Sequence, residues 1–282
     1  MRTKSLKDFK KSISTINNHQ TQLKFVFEQF RIDNKSNFAI TNSESEPSLT
    51  EEVFTSNKYS EEFNIQVDEF ENETNETQRF LFKSIFVFIY TRFEIYLRNL
   101  YFQARHEINL QIPELNKYKI PETFFEKLKI ELDDDLSLTF EYLRLRRNSI
   151  VHRSEEKYSQ GEINRFIKSN GSRLNKFWNS KSTFTDVKSI TIKQIDFSKT
   201  DIEKFQENEI IDVFNLYRVL SEIIDRDFIS KWSRSEWIEI IKLRYQENGS
   251  KEIKSDAAKK ELSWLVNDYL GTTLIAEEIN QI

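Results

Sequence analysis

The chain has no cysteine, which removes disulfides, thiolate metal sites and a cysteine nucleophile together. That absence fits a cytoplasmic protein. Glycine and proline are almost as scarce, at 4 and 3 residues in 282. Tight turns and helix breaks are therefore few, which favours long helices over a many-stranded sheet. The opening residues, MRTKSLKDFKKS, carry no apolar stretch of signal-peptide length. Long hydrophobic runs are also missing. Residues 80–102 come nearest, but Lys83, Arg92, Glu94 and Arg98 interrupt them. A membrane span needs about 20 largely uncharged residues, so this segment reads as a buried helix and no membrane partner is expected. Histidine occurs three times, at His19, His106 and His152.

Aromatics and charge are abundant. Twenty-four Phe and ten Tyr supply a large core, enough for one sizeable domain or a core with appendages. The net charge of −4 conceals a partition. Residues 44–76 hold eleven acids and one Lys, a balance of −10, while residues 141–176 hold nine Lys or Arg and four acids, a balance of +5.

Apolar periodicity predicts a mostly α-helical bundle, with a short strand or hairpin insertion and helical N- and C-terminal extensions. Residues 1–32 form the N-terminal unit, whose helix over 5–31 turns Phe9, Ile13, Ile16, Leu23, Phe27 and Phe30 inward. Residues 33–77 read as an acidic, partly disordered insertion. The core, residues 78–232, starts with a central helix from about Asn75 or Thr77 to Ile108. A short helix over 121–131 follows, with Pro121 in its first turn, then a helix over 133–153. Residues 155–180 predict one or two basic helices broken near Gly171. Alternation over 187–197 suggests the strand or hairpin. Thr200-Asp201-Ile202-Glu203 has the pattern of a capping box opening a helix to Trp232, with Ile210, Phe214, Tyr217, Leu220, Ile224 and Phe228 on its inner stripe. Residues 233–282 form a helical extension with a second cap at Ser233–Glu236 and breaks near Asn248-Gly249 and Gly271. Trp232, Trp237 and Trp264 are expected mostly in the core.

The segment that points to chemistry is Arg147-Asn148-Ser149-Ile150-Val151-His152-Arg153, inside the basic stretch. Upstream of it the apolar stripe runs Leu132, Leu136, Phe140, Leu143, and Arg147 takes the next position. A buried guanidinium must be paired, because an unpaired buried charge is very costly. Arg147 therefore either meets a structural acid or faces a cleft built for an anion. Arg144, Asn148 and His152 follow one another at spacing four, with Arg147 along the edge of that line. Arginine offers a planar fork to phosphate oxygens, asparagine can hold a base edge or a phosphate, and histidine can take or give a proton near neutral pH. Such a strip suits a phosphodiester. RNA brings its own nucleophile, the 2′-hydroxyl, so no metal or other cofactor is required. Metal ligands near the motif are in any case poor, with one His and no carboxylate pair.

Arg147-Asn148 followed by His152, late in an amphipathic helix and preceded by a buried helix with an internal acid, resembles the HEPN superfamily (higher eukaryotes and prokaryotes nucleotide-binding domain). The resemblance covers residues 78–232. It implies a HEPN-type bundle and a metal-independent endoribonuclease of toxin–antitoxin or antiviral defence, cutting single-stranded loop RNA such as tRNA. It implies a 2′,3′-cyclic phosphate and a 5′-hydroxyl as the product ends. It also implies a homodimer in which two motif helices share one composite cleft, with an antitoxin or sensor protein as a further partner. In this reading Arg147 and His152 are catalytic, and Asn148, Arg144, Arg146, Arg153 and Glu94 contact substrate. Ser154 stands where partner-modified relatives carry a tyrosine. The competing reading is a non-catalytic HEPN module that dimerises and binds a partner or nucleotide. His19 and His106 have no constellation around them.

Overall fold

A computed structural model of the protein describes residues 1–35, 48–104, 120–152, 156–180, 192–247 and 255–281. These residues are mostly helical and contain no sheet. In chain order the helices are α1 (Lys4–Asp33), α2 (Thr50–Val53), α3 (Phe70–Phe102), α4 (Ile120–Leu128), α5 (Asp134–Val151), α6 (Glu156–Ser180), α7 (Glu207–Ser230), α8 (Arg234–Glu247), α9 (Asp256–Leu270) and α10 (Ala276–Gln281). No described helix is long and apolar enough to cross a membrane.

Helix α3 is central and packs against α1, α4, α5 and α7. Its buried residues, from Phe82, Ile85 and Phe86 to Leu100 and Tyr101, occupy most of its circumference. Only Phe80, Phe88, Ile95 and Phe102 among its large apolar side chains face outward. It begins at Phe70, earlier than periodicity suggests. Phe70 stacks on Phe30 at 5.0 Å and meets Phe54 and Phe63, so an aromatic cluster anchors a helical turn made of polar residues. The described part of the acidic stretch is correspondingly more specific than a loose insertion. Residues 48–69 contain α2 and one antiparallel bridge between Leu49 and Gln66. The buried Thr50 hydroxyl donates to the Phe63 carbonyl at 2.5 Å. Residues 36–47 lie outside the described residues.

The N- and C-terminal helices share one apolar cluster with the middle of the chain, running from Leu6 to Leu274. Thr3 caps α1 by accepting from the Leu6 N–H at 3.1 Å, while its own N–H donates to Asp225 of α7 at 3.0 Å. Along α1, Leu6, Phe9 and Ile13 are buried, Ile16, Phe27 and Phe30 are half-buried, and Leu23 is exposed. The inward stripe thus holds for the first half of the helix and loosens beyond it.

Four other expectations are corrected. Helix α6 runs through Gly171 without a break, and the glycine marks a close approach of the following loop instead. A Cβ there would lie 2.7 Å from the Phe197 carbonyl oxygen. The strand expected over 187–197 does not form in its described part. Ile192, Ile195 and Phe197 are buried in a loop. The Lys193 and Gln194 N–H groups donate to the Asp212 carboxylate at 2.7 and 2.6 Å. A side chain takes the place of a neighbouring strand. Helix α7 starts not at the Thr200 cap but after Gln206, where Glu209 closes the capping box. Its stripe of Ile210, Phe214, Tyr217, Leu220, Ile224 and Phe228 is buried as expected. Of the tryptophans, Trp237 is buried, Trp232 is half-buried, and Trp264 is 62% exposed. The Ser233–Glu236 cap and the break at Gly271, a left-handed C-cap, form as expected.

Candidate functional site

Asp133 starts the motif helix by accepting from the Leu136 N–H at 2.8 Å, and Asp134 and Asp135 favour the positive end of the helix dipole. The helix ends at Val151 with His152 as its C-cap, the His152 N–H donating to the Asn148 carbonyl at 2.9 Å. Between these ends three arginines take three environments.

Arg146, expected as a substrate contact at the surface, is 1% exposed. Its Nη1 donates to Glu209 at 2.6 Å and to the Tyr142 hydroxyl at 3.3 Å, and its Nε donates to the Ile202 carbonyl at 2.9 Å. The guanidinium lies 3.9 Å from the Phe205 ring centroid and 5.3 Å from that of Phe86. Fully enclosed, it offers nothing to an RNA backbone. The enclosure also explains the late start of α7. Residues 202–205, read as a first helical turn, instead fold over Arg146 and supply a carbonyl and an aromatic face.

Arg147 is half-buried, and among the described residues no carboxylate pairs with it. Its Nη1 donates to the Asn148 side-chain carbonyl at 3.1 Å, its Nε is buried without a hydrogen-bond partner, and its Cζ lies 5.9 Å from the Tyr90 ring centroid. The alternatives left open by the sequence therefore divide between neighbours. Arg146 has the structural acid, and Arg147 has charge to spare. Asn148 is half-buried beside it, and His152 is exposed. Arg144, one turn earlier, makes a two-pronged ion pair with Glu141 at 2.8 and 2.6 Å. Glu94 is half-buried on α3, one turn beyond Tyr90. Arg153 and Ser154 lie outside the described residues, as does His106, and His19 is exposed.

Beside this face is a cavity of about 220 Å³, lined by Tyr90, Phe93, Phe125, Phe140 and Tyr217, with Leu132, Ser137, Glu141, Leu143 and Arg144 completing its wall. Tyr217 is wholly buried, and its hydroxyl has no hydrogen-bond partner. Burial, then the neighbouring Tyr90 and Glu94, hold that hydroxyl well above the usual tyrosine range, so it remains a donor. Sequence reasoning missed this feature because Tyr90 and Tyr217 sit on inward stripes and read as core. The available signal was the hydroxyl itself, since a buried Tyr oxygen ordinarily finds a partner.

The face running from Arg144 through Arg147 and Asn148 to His152 can bind an anion, place an amide beside it and present an imidazole to solvent. Among the described residues no group of His, Asp or Glu has the clustering to hold a metal ion. Comparison with family models, with curated proteins and with solved structures returns no match.

Proposed function

We propose that the protein is a metal-independent endoribonuclease of HEPN type, acting in bacterial defence or as the toxin of a toxin–antitoxin pair. The observation that carries the reading is the half-buried Arg147, which has no acid partner among the described residues and stands five residues before the exposed His152. Its neighbour Arg146 is already neutralised by Glu209, so the protein distinguishes a structural arginine from one kept for an external anion. A desolvated, unneutralised guanidinium binds phosphate more strongly than one in water.

In the proposed reaction His152 takes the proton from a ribose 2′-hydroxyl, and the oxygen attacks the adjacent phosphorus in line. The bond to the 5′-oxygen breaks, and that oxygen receives a proton from the imidazolium of the same residue or of its counterpart in a second copy. Arg147 stabilises the charge that builds on the phosphoryl oxygens, and Asn148 fixes the guanidinium it accepts from. The products are a 2′,3′-cyclic phosphate and a 5′-hydroxyl. Unstacked loop RNA, such as that of tRNA, is the substrate class, because its bases and 2′-hydroxyls are accessible. A homodimer would bring two motif faces into one cleft, and an antitoxin or sensor protein is the proposed regulator.

The test is cleavage of a loop-containing RNA by the purified protein in excess EDTA. Cyclic phosphate ends are expected, with a loss of about 10² to 10⁴ in rate for His152→Ala. Cleavage that vanishes in EDTA and returns with Mg²⁺, or that His152→Ala leaves intact, would overturn the assignment.

A further inference from the structure

Helix α6 carries a row of positive charge that the described residues leave unneutralised. From Ile163 to Ser180 it contains no Asp or Glu, although 46 acids in 282 residues amount to about one in six. Every exposed position over those residues is Arg, Lys, Ser or Asn. The opposite side of the helix, with Ile163, Ile167, Leu174 and Trp178, is buried. Trp178 donates to the Thr139 hydroxyl at 3.0 Å, and Asn175 holds the loop before α7. The charged face therefore sits on a helix that is fixed along its length.

Arg165, Lys168, Ser172 and Lys176 follow one another at spacings of three and four, which sets them in one row about 16 Å long. Among the described residues no carboxylate pairs with any of its three cations. Arg165 Nε makes one hydrogen bond within its own helix, to the Gly161 carbonyl at 3.2 Å. Arg173, off the row, is different. It reaches Asp135 at 2.5 Å and Asp134 at 3.8 Å, and so ties α6 to α5.

What this face lacks narrows its ligand. Among the described residues, none of the exposed large apolar side chains belongs to α6. A helix lying on a membrane needs an apolar face to bury, and a protein interface needs aromatic or aliphatic anchors. Proteins that hold single strands offer aromatic platforms to the bases. Cations with short hydroxyl and amide side chains between them make phosphate and sugar contacts. That is how a duplex is held when its bases are turned inward. The placement agrees. Tyr142 meets Phe166, ring centroids 6.4 Å apart, and Asp135 meets Arg173, so α6 runs antiparallel to α5. Arg165 is thus level with Leu143, one turn before Arg147, and the row leads away from the motif.

We propose that the outer face of α6 is a docking surface for the backbone of an RNA stem whose loop lies at the Arg147–His152 face. The substrate is then a hairpin rather than an unstructured strand. RNA as the ligand rests on the reading of that face as a ribonuclease site, and the row adds a contact that no motif residue supplies.

The experiment measures the affinity of the intact protein for a 2′-O-methyl RNA hairpin, which has no free 2′-hydroxyl to attack, over a range of salt concentrations. The loop sequence alone, as a single strand, and vesicles of anionic phospholipid are the other two probes. The hairpin is expected to bind about tenfold or more tighter than the single strand, because its stem brings phosphates to the row. Arg165→Gln, Lys168→Gln and Lys176→Gln combined are expected to remove that advantage. They should also lower the slope of log affinity against log salt by about 2, each lost phosphate contact being worth about 0.7 to 0.9. Lys11, Arg226 and Lys260, exposed elsewhere, changed together to Gln alter the net charge equally and are expected to leave both quantities in place. Both variants should melt with wild type, since exposed side chains away from any partner contribute little to stability.

An unchanged slope in the α6 variant, equal binding of hairpin and single strand, or an equal loss in the control variant each overturns the surface. So does α6-dependent binding of vesicles without binding of the hairpin. Failure of the nuclease reading is separable. Row-dependent hairpin binding with no cleavage of the unmodified hairpin keeps the surface and removes the enzyme. Cleavage by the α6 variant with the rate and salt dependence of wild type does the opposite.

Discussion

Truncating Arg146 to alanine leaves Glu209 buried with only Lys199, 3.5 Å away, to answer its charge, and strips Phe205 and the Ile202 carbonyl of what they cover. Breaking a buried pair from one side costs about 3–5 kcal/mol. The Arg146→Ala melting temperature should therefore fall steeply, with unfolding at room temperature a realistic outcome for a fold of ordinary stability. Arg147→Ala should behave in the opposite way, changing stability by less than about 1 kcal/mol, because no acid is orphaned among the described residues and a partly desolvated charge disappears. Its effect should fall on cleavage and phosphate binding. Paired thermal melts of the two variants check this. If Arg147→Ala unfolds the protein and Arg146→Ala does not, the structural and functional arginines have been exchanged.

Between elements, the tightest constraint is where α6 passes the loop that precedes α7. At Gly171 a Cβ would meet the Phe197 carbonyl oxygen at 2.7 Å and the Ser198 Cα at 2.9 Å, both backbone atoms that cannot rotate away. Asn175, one turn on, fixes the same loop by accepting from the Phe197 N–H at 2.9 Å and donating to Asp196 at 2.8 Å. Helix propensity alone would make Gly171→Ala stabilising by about 1 kcal/mol. The enforced separation should outweigh this, as overpacking typically costs about 1–3 kcal/mol. A lower urea midpoint for Gly171→Ala is the expected result, and a higher one would mean that the loop does not press on α6 as described. The loop also carries Ile202 and Phe205, so disturbing it should loosen the lid over Arg146.

At the scale of the whole molecule, Asp225 ties α1 to α7. It is 1% exposed, and both the N–H and the hydroxyl of Thr3 donate to it. Burial raises its carboxyl from 3.8 to about 6, against the opposing pull of the Thr3 hydrogen bonds and Lys10. Because the folded value is the higher one, the folded state holds the proton more tightly. Its contribution to stability is complete below pH 4 and is lost as pH rises through 6, an effect of about 3 kcal/mol. Glu278, held down to about 2 chiefly by Arg234, works in the other direction and at lower pH. The difference in unfolding free energy between wild type and Asp225→Asn, followed from pH 4 to pH 7, isolates the term. Wild type should lose ground to the variant across that interval, and a constant difference would show that Asp225 does not titrate in the fold.

Much of this architecture is legible in the sequence because it follows from local patterns. The stripe from Ile210 to Phe228 is buried as its spacing requires, Asp133 and Ser233 start helices where their side chains can satisfy free N–H groups, and Gly271 ends one in the left-handed conformation. The scarcity of glycine and proline favours long helices, and apolar periodicity predicts a mostly helical chain. The pattern Arg147-Asn148 with His152 marks the candidate face for the same reason, since spacing on one helix is a local property. Only the tertiary structure decides which adjacent arginine is neutralised. That depends on Glu209, Ile202 and Phe205, some 60 residues away, and periodicity on α5 alone favoured Arg147 for the buried position. The same holds for Gly171, a breaker in isolation but a contact point once Phe197 lies against it, and for the hydroxyl of Tyr217, whose lack of a partner is a fact about four helices at once. Helical periodicity encodes which side of an element turns inward, whereas charge pairing and cavity shape are set by residues that are neighbours only after the chain has folded.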